Sequence, residues 1–452
     1  MASQPFREKS YWLSTRDYVP SRPLSGNVDV DVAIVGGGFT GLSTAYHLKK
    51  EAPGMRIALL ESEVIGFGAS GRNGGFNMTL FGLTLGITAI RFGKHKAREA
   101  HHYMEKAVDL LQGLAADLKL DCDYEHPGFL RVATSEKYRV RILEEIELAH
   151  RLGLQGIEWL EKDQLAREVR SPMYLGAWWE PRCGILNPAK LAWSWKEVIT
   201  GMGVAVYEKS PVAEIRRPSG KIVLAATGAR VRADKVVMAT NAWSHFFPPM
   251  RRKQVPVWTH IVLTEPIDQK AFAEIGWQHR QGIEDARNLV HYYRLTADNR
   301  LLMGGRDISL PASDATMDQD ANPATFAGLK NDVRQLFPAL ATIRFTHEWG
   351  GPVSVPLDMA PALGYLGDKN VVYSLGCVGH GVSLTHLNGK TLCDMVLDRQ
   401  TDLTDVFFVN RRTIPWPPNP IRNLAAKAIL GYMHWEDRRF DAPPAESIRC
   451  KS

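Results

Sequence analysis

The feature that most constrains this chain is a glycine-rich turn between a short apolar run and a helix near the N-terminus. The stretch DVAIVGGGFTGLSTAYHLKK begins at Asp31 and sets Gly36, Gly38 and Gly41 in G-x-G-x-x-G spacing. Gly36 permits the tight turn, Gly38 lets a pyrophosphate approach the backbone, and Gly41 allows the helix to pack closely on the strand. The helix N-terminus then offers free N–H groups and the positive end of a dipole to phosphates.

A second apolar strand, MRIALLE, follows from Met55 to Glu61. The two strands and the helix between them predict a β-α-β unit with a parallel pair and a right-handed crossover. Glu61 ends the second strand, where an acidic side chain accepts hydrogen bonds from a ribose diol. No Arg or Lys follows Glu61 closely, which disfavours NADP. The unit therefore predicts a dinucleotide site with which NAD and FAD are both compatible.

Composition narrows the class of protein. The chain has 452 residues, 45% hydrophobic and 23% charged, which predicts a globular protein of two or three domains. A net charge of +6 without a dense Lys/Arg block argues against nucleic-acid binding. Five scattered cysteines without C-x-x-C spacing argue against disulfides and zinc, so we expect no metal and a cytoplasmic location. The least polar stretch, which begins at Gly75, is too polar for a membrane span and predicts a buried helix or loop.

Two further glycine-rich stretches distinguish FAD from NAD. GFGASGRNGGF, from Gly66, can lay backbone amides along a longer cofactor, although a flexible surface loop is the alternative. LGCVGHGVSLTHLNGK, from Leu375, leaves room for a flat ring and precedes a helix whose N-terminus can stabilise negative charge on a reduced flavin. His380 lies either beside that ring or in the packing. The expected cofactor contacts of the three glycine stretches also include Phe39, Thr40, Ser70, Gly71, Arg72, Asn73, Gly74, Gly75, Gly376, Gly379, Gly381 and Val382.

Together these motifs resemble the FAD-dependent D-amino-acid oxidase, glycine oxidase and sarcosine oxidase superfamily, with the nearest likeness to its γ-glutamylputrescine oxidoreductase type. SYWLSTRDYVPSRPL, near the N-terminus, and KVVMATNAWS, from Lys235, strengthen the resemblance. It implies an α/β fold, in which a glutathione-reductase-like FAD-binding Rossmann domain carries a discontinuous α+β substrate domain with an antiparallel sheet. It also adds four expected cofactor contacts, Val212, Thr240, Asn241 and Trp243.

The resemblance implies a discontinuous domain organisation. We expect an N-terminal arm, an FAD-binding domain, a substrate domain and a C-terminal extension with a Pro-rich linker and a helix. Their expected segments are 1–28 for the arm, 29–95, 150–245 and 350–400 for the FAD-binding domain, 96–149 and 246–349 for the substrate domain, and 401–452 for the extension. In the extension, apolar residues at helical spacing from Ile421 to Tyr432 favour a helix packed on the body, with a membrane-surface or partner helix as the alternative.

Two departures from the family bear on the flavin. Monomeric sarcosine oxidases attach flavin through a cysteine shortly before the C-terminal glycine motif, but the matching segment, 348–367, has none. We therefore expect non-covalent FAD. Sarcosine oxidases also carry a lysine near flavin N5, where this chain has Leu302 in LLMGG. A missing charge there favours slow use of O₂ and a separate electron acceptor, unless His260 or His380 supplies it.

Members of the superfamily oxidise a C–N bond: the amine gives a hydride to flavin N5, and the resulting imine hydrolyses. Strand alternation in HYYRL places His291 and Tyr293 on one face of the strand and Tyr292 and Arg294 on the other. A His and a Tyr can bind a polar amine, and Arg294 can clamp a carboxylate. With His260, these form the expected catalytic set of His291, Tyr293, Arg294 and His260, although a place in the sheet surface or core is the alternative for each.

The expected function is therefore FAD-dependent oxidation of a primary or secondary amine or amino acid, with a γ-glutamylputrescine-like polyamine derivative favoured. The expected partners are a small amine and either O₂ or another electron acceptor. Two alternatives stay open: a flavin-dependent hydroxylase, and a non-catalytic subunit of an amine-oxidising complex.

Overall fold

The computed structural model describes residues 5–217, 220–311 and 317–440. Residues 1–4 of the expected arm and 441–452 of the expected extension therefore lie outside the described residues. The strands are β1 (Val28–Val35), β2 (Ile57–Leu60), β3 (Phe76–Asn77), β4 (Phe129–Ala133), β5 (Glu158–Glu161), β6 (Gly176–Glu180), β7 (Gly184–Ile185), β8 (Ala205–Tyr207), β9 (Val212–Arg216), β10 (Ile222–Ala226), β11 (Ala229–Met238), β12 (Val255–Pro266), β13 (Gly282–Asp285), β14 (His291–Leu295), β15 (Arg300–Ser309), β16 (Phe345–Val355), β17 (Ala362–Leu366) and β18 (Asp368–Leu375).

Helices connect and cover these strands. The α-helices are α1 (Phe39–Glu51), α2 (Leu85–Phe92), α3 (Lys94–Asp117), α4 (Glu136–Arg151), α5 (Lys162–Glu168), α6 (Pro188–Gly201), α7 (Gln269–Ile275), α8 (Pro323–Leu336), α9 (Gly381–Val396) and α10 (Ile421–Phe440). Short 3₁₀ turns lie at Pro5–Lys9, Trp12–Ser14, Ala69–Gly71, Asn241–Phe246, Pro248–Met250 and Pro338–Leu340. Within the described ranges, none of the helices combines the length and the apolar composition that a transmembrane span requires.

The first sheet is the dinucleotide-binding layer. Its strands lie in the order β17-β18-β11-β1-β2-β8, and β9 and β10 extend antiparallel from β11. The five strands from β18 to β8 are parallel, and α1 makes the crossover from β1 to β2. The predicted β-α-β unit is confirmed. The apolar runs of β1 and β2 are buried because helices cover one face of this sheet.

Helices α1 and α9 pack against each other on this sheet because one of them presents a glycine to the other. A Cβ atom on Gly389 of α9 would lie 2.5 Å from the side chain of Ser43 on α1. Ser43 Oγ also donates to the backbone oxygen of His386 at 2.7 Å. The two helices begin at the two glycine motifs, so this contact fixes one motif relative to the other.

The second sheet runs in the order β16-β12-β15-β14-β13-β4-β6-β5 and is antiparallel except where β13 pairs with β4. Its strands alternate, so the two faces have different neighbours. Tyr293, Leu301 and Met303 belong to an apolar cluster that includes residues of α7 and α8. Leu302, by contrast, belongs to the large cluster shared with the first sheet. The expected fold class, a Rossmann-type layer with an antiparallel-sheet second layer, is confirmed.

The chain passes between the two layers at places that differ from the expected segments. Strands β5 and β6 fall in the expected FAD-binding segment 150–245, but they pair with each other and with β4 in the second sheet. Helix α3 falls almost wholly in the expected substrate segment 96–149, but Tyr103 Oη donates to Asn388 on α9 at 3.0 Å. The reason is that strand pairing and helix packing decide the layer, and the motif spacing carried no information on either.

Candidate active site

A cavity of about 1020 Å³ is lined by strands of the second sheet, by loops that follow strands of the first sheet and by all three glycine-rich stretches. Stretches that are more than 300 residues apart in the chain therefore meet at one space. Of the expected cofactor contacts, the residues that line it are Gly38, Phe39, Thr40, Ser70, Arg72, Asn73, Gly74, Gly75, Asn241, Gly379, His380, Gly381 and Val382. Such a space suits one long ligand that is held at both ends.

The first glycine motif forms a turn that only small residues permit. Gly36 has a φ of +113°, and a Cβ there would lie 2.5 Å from a backbone oxygen of the neighbouring Ala239. A Cβ on Gly41 would lie 2.1 Å from the backbone oxygen of Gly36. Helix α1 begins at Phe39 without a side-chain cap on Gly38. The Phe39 amide donates to Ser70 Oγ at 3.0 Å, and Gly38, Phe39 and Thr40 of this N-terminus line the cavity, as a site for phosphate requires.

Glu61 follows β2 and holds the turn in place. Its Oε2 accepts from the amide of Gly37 at 2.7 Å, and its Oε1 accepts from the amide of Glu63 at 2.9 Å. Burial raises the pKa of Glu61, and these amide hydrogen bonds lower it in part. Oε1 also accepts from Ser62 Oγ at 3.1 Å, whereas Oε2 keeps a further lone pair, which fits the expected acceptor role toward a ribose diol.

The loop from Gly66 to Phe76 is held by hydrogen bonds, so the flexible-loop alternative is wrong. Asn73 Oδ1 accepts from the amide of Gly75 at 2.7 Å, and the indole of Trp12 donates to the backbone oxygen of Asn73 at 2.9 Å. Arg72 is buried and donates to Asp320 at 2.8 Å. Ordered backbone amides along the cavity are what a bound dinucleotide requires.

The C-terminal glycine motif mirrors the first. Gly376 and Gly379 have φ values of +81° and +88°, and α9 then begins at Gly381 without a side-chain cap on His380. His380 lines the cavity, and its buried Nδ1 has no hydrogen-bond partner among the described residues. Asn241 Oδ1 lies 3.6 Å from Cys377 Sγ at the same wall. The N-termini of α1 and α9, one from each motif, therefore both lie at the cavity.

The remaining expected cofactor contacts do not line the cavity. Thr240 Oγ1 lies 2.9 Å from Ser244 Oγ, and the Trp243 ring lies where a Cβ on Gly68 would be 2.9 Å away. Val212 pairs with β10 at the far edge of the first sheet. The set outside the lining is Gly36, Gly41, Glu61, Gly71, Val212, Thr240, Trp243 and Gly376. We interpret these residues, apart from Glu61 and Val212, as supports of the cavity wall.

One row of side chains on the second sheet faces the cavity. Tyr292 is paired with Glu284 on one side and with Gly304 on the other, and Glu284 is paired with Arg131. Directly paired residues share a face of a sheet. Because Gly304 has no side chain, the Tyr292 ring lies over it; a Cβ there would be 2.4 Å from that ring. Tyr292, Glu284 and Arg131 all line the cavity.

Glu284 is the most informative residue of this row. It is buried, and only 8% of its side chain is exposed, yet it has no hydrogen bond to any described residue. The nearest basic group is His380, whose Nε2 lies 3.7 Å from Glu284 Oε1. A buried carboxylate without a partner is costly unless a ligand supplies one. Sequence reasoning missed Glu284, although two adjacent acids, Glu284 and Asp285, in the otherwise apolar stretch GIEDA were a usable signal.

The structure corrects the expectation that His291 and Tyr293 contact the substrate. His291 Nδ1 lies 2.9 Å from Asp285 Oδ2, and its Nε2 lies 3.0 Å from Asp332 on α8. The Tyr293 hydroxyl lies 2.8 Å from that of Tyr174 inside the apolar cluster beneath α7 and α8. Both side chains point away from the cavity because the strand alternation places Tyr292, and not its neighbours, on the cavity face.

Arg294 shares the face of Tyr292 but serves the structure. Its Nη1 donates to the backbone oxygens of Leu186 at 2.7 Å and Gly75 at 3.2 Å, and its guanidinium lies 5.4 Å from the Trp12 ring. Burial lowers its pKa to about 10. The expected carboxylate clamp is therefore not formed, and Arg294 instead fixes the glycine-rich loop at Gly75.

His260 and Leu302 also lie outside the lining of the cavity. His260 Nε2 lies 3.0 Å from the backbone oxygen of Gln319, and its ring packs edge-on against Phe326 of α8. Leu302 is fully buried in the apolar cluster between the sheets. Of the two histidines considered as a substitute for the missing lysine charge, only His380 lines the cavity.

Two helix N-termini that face one long cavity, with an acid at the end of the second strand, define an FAD-binding oxidoreductase of the dinucleotide-binding class. The family model described as FAD dependent oxidoreductase matches residues 31–395. The chain belongs to this family, DAO, and the residues present at the cavity fit FAD.

Relatives extend along most of the chain. It is 32% identical over 388 residues to gamma-glutamylputrescine oxidoreductase of Escherichia coli K12, covering 85% of this chain and 88% of that protein. It is 24% identical to the sarcosine oxidase subunit beta of Rhodobacter capsulatus, over 84% of this chain and 88% of the relative. The crystal structure of glycine oxidase from Geobacillus kaustophilus has a TM-score of 0.73 and 23% identity, covering 86% of this chain and 100% of that chain, which shows the shared fold.

Proposed function

We propose that this enzyme oxidises the C–N bond of a primary or secondary amine bound at Glu284. The observation that carries the proposal is the unpartnered carboxylate of Glu284, buried in the wall of the FAD cavity. An ammonium group is the natural partner of such a carboxylate because it supplies both charge and hydrogen-bond donors. Relatives that act on amines support the same class of substrate.

When bound, FAD would supply the chemistry by accepting the hydride of the amine carbon. Because an ammonium group cannot release a hydride, the bound group first gives one N–H proton to the Glu284 carboxylate and is oxidised as the neutral amine, and water hydrolyses the resulting imine. The side chains of the chain hold and orient the amine. Glu284 binds the nitrogen of the amine, and the Tyr292 ring covers the amine. The Tyr292 hydroxyl interacts with Thr259, and burial raises the pKa of Tyr292 to about 12. The phenol therefore stays neutral at physiological pH and leaves Glu284 as the charged group of this row that lacks a partner.

The favoured substrate is a γ-glutamylputrescine-like polyamine derivative, which carries an amine at one end and a carboxylate at the other. The cavity is also lined by Arg91, at the end of α2, and by Lys94, at the start of α3. Both cations are exposed, and neither has an ion-pair partner in the described part of the chain. We infer that Arg91 and Lys94 bind the distal carboxylate of the substrate while Glu284 binds its amine.

The amine proposal is tested by reduction without oxygen. The purified yellow protein is mixed with a panel of amines, and the visible absorbance of the flavin is followed. We expect bleaching by at least one amine, and a 10- to 100-fold lower kcat/KM in Glu284→Gln, about the value of a hydrogen bond to a charged group. FAD content should stay unchanged in that variant. Bleaching only by NAD(P)H would instead support a hydroxylase, and no bleaching by any donor would support a non-catalytic subunit.

The finer substrate assignment has its own test. In the double variant Arg91→Gln/Lys94→Gln, the KM for γ-glutamylputrescine should rise about tenfold, while the KM for a simple monoamine should not change. Lys96→Gln is the matched control, because Lys96 lies on the same surface but does not line the cavity. Equal effects on both amines would reject the distal-carboxylate contact.

The manner of FAD attachment and the electron acceptor are part of the proposal. Segment 348–367 has no cysteine, and Cys377 lies within the glycine motif with its pKa raised to about 11 by burial. We infer that FAD is held without a covalent bond, so acid precipitation should leave the yellow colour in the supernatant. With Leu302 uncharged and buried, we also expect reoxidation by O₂ to be slow compared with an artificial acceptor.

A further inference from the structure

Helix α10 turns its apolar side chains outward. Ile421, Leu424, Tyr432 and Trp435 recur at helical spacing, and between half and three quarters of each is exposed. The expectation that this stripe packs on the body is wrong. A regular apolar stripe in contact with water is unusual for the surface of a globular protein and indicates an interaction site.

Polar contacts hold the helix in this orientation. Asp437, which is buried, accepts from the hydroxyl of Tyr138 at 2.9 Å and from the amides of Asn288 and Leu289, each at 2.9 Å. Glu436 accepts from Lys137 at 2.7 Å. Acidic residues, which a helix usually turns to solvent, therefore dock α10 on the body, and the apolar stripe stays exposed in the described part of the chain.

The apolar surface continues onto α2, at the opening of the cavity. Ile90 is 85% exposed, and Ile87 is also exposed. Both line the cavity, as does Ile429 of α10. The expectation of a buried helix or loop after Gly75 is thus wrong for this part of α2. We name Ile87, Ile90, Ile421, Leu424, Ile429, Tyr432 and Trp435 the outer patch.

The exposed charges of α10 beside the outer patch are of one sign. Lys427, Arg438 and Arg439 are exposed on α10, and the Arg439 guanidinium lies 5.3 Å from the Trp435 ring. The acids of the helix, Glu436 and Asp437, are engaged with the body. A two-fold contact between copies of this patch would bring like charges together, which disfavours a dimer through it.

We propose that the outer patch binds an anionic lipid surface, on which the opening of the cavity then lies. A helix with aromatic and aliphatic side chains on one stripe and basic residues beside it enters the headgroup region of a bilayer. Trp and Tyr favour that depth, and each basic residue gains from a negative leaflet. Association of this kind needs no membrane-spanning helix and is independent of the amine proposal.

The test is flotation of the intact FAD-loaded protein with lipid vesicles. Wild-type protein should float with vesicles of phosphatidylcholine and phosphatidylglycerol, and less with phosphatidylcholine alone. Leu424→Ser/Trp435→Ser should lower partitioning at least tenfold, because two apolar side chains would no longer enter the headgroup region. Lys427→Gln/Arg438→Gln should remove most of the preference for anionic lipid. Val19→Ser is the control, because Val19 is exposed but belongs to the N-terminal arm.

Unchanged flavin content, circular dichroism and amine turnover in detergent-free buffer would show that the variants are folded. The proposal fails if wild-type protein floats with neither vesicle, or if Leu424→Ser/Trp435→Ser floats as well as wild type. It also fails if light scattering shows a dimer that the same double variant dissociates, because the patch would then bind a second copy of this chain.

Discussion

Glu284 and Asp285 are neighbours on β13, and both are buried acids, but they point to opposite faces of the second sheet. Both residues line the FAD cavity, but Glu284 has no hydrogen-bond partner among the described residues. Asp285 binds the ring and the backbone amide of His291 and also pairs with Arg287. The same functional group is therefore structural on one face and available for ligand on the other.

The next strand repeats the contrast in its tyrosines. Tyr292 lies over Gly304 beside the cavity, while the Tyr293 hydroxyl is used by Tyr174 in the apolar cluster. Burial raises the pKa of both, so the difference between them is in their neighbours and not in their ionisation. The comparison suggests that substitutions on the cavity face change kinetics, whereas the same substitutions on the other face change stability.

The largest expected difference is between the two acids. Asp285→Asn should lower the free energy of unfolding by about 3–5 kcal/mol, because it removes a buried carboxylate that pairs with both His291 and Arg287. Glu284→Gln, the matched change on the other face, should change it by less than about 1 kcal/mol. Chemical denaturation of the two FAD-loaded variants measures this. Equal losses of stability would show that the two faces do not have separate roles.

The pH dependence of stability should sharpen the same contrast. Burial lowers the pKa of His291, but Asp285 and Asp332 outweigh that effect and raise it to about 9. A raised pKa in the folded state means that stability is fully present below about pH 6.5 and is lost as the pH rises through about 9. The loss should reach about 3 kcal/mol in wild-type protein.

His291→Gln should flatten the stability curve between pH 6.5 and 9, as read from melting temperatures across that range. The depressed pKa of Asp285 acts in the opposite direction, since its contribution is present above its unfolded pKa and is lost on acidification. Glu284→Gln is the control and should keep the alkaline slope of wild type. A His291→Gln curve that still falls with rising pH would assign the slope to another group.

The third effect is steric and concerns the support of Tyr292. Gly304→Ala should move the Tyr292 ring toward the cavity and cost about 1–3 kcal/mol of stability, the usual cost of overpacking. The amine KM should rise several-fold at the same time. In a Tyr292→Ser background, the same change should have almost no further effect on KM, because the residues that clash are then no longer both present. Additive effects in this double-mutant cycle would reject the contact.

The cofactor end of the site could be predicted from the sequence, and the substrate end could not. Gly36, Gly41 and Glu61 have roles that follow from local backbone geometry, and short-range spacing encodes such geometry. Whether the side chain of Glu284 or that of His291 faces the cavity is decided by the face of the second sheet on which each lies. That face depends on which strands pair. The alternation in HYYRL was predicted correctly, but the choice of the cavity face required the position of the first sheet. The prediction that the apolar stripe of α10 packs on the body was wrong for the same reason, since an apolar stripe does not reveal which side of a helix contacts the body.

The smallest expected effect separates the two tyrosines. Tyr293→Phe should lower stability by about 1 kcal/mol, because the buried hydroxyl of Tyr174 loses its partner, and should leave amine kinetics unchanged. Tyr292→Phe keeps the ring over Gly304 and removes only the hydroxyl that bonds Thr259, so stability should fall less while kcat/KM changes a few-fold. Melting temperatures and anaerobic flavin reduction on the same two preparations make the comparison. If Tyr293→Phe changed the reduction rate and Tyr292→Phe did not, the face of the sheet that carries Tyr293, and not the face of Tyr292, would be the one that contacts the substrate.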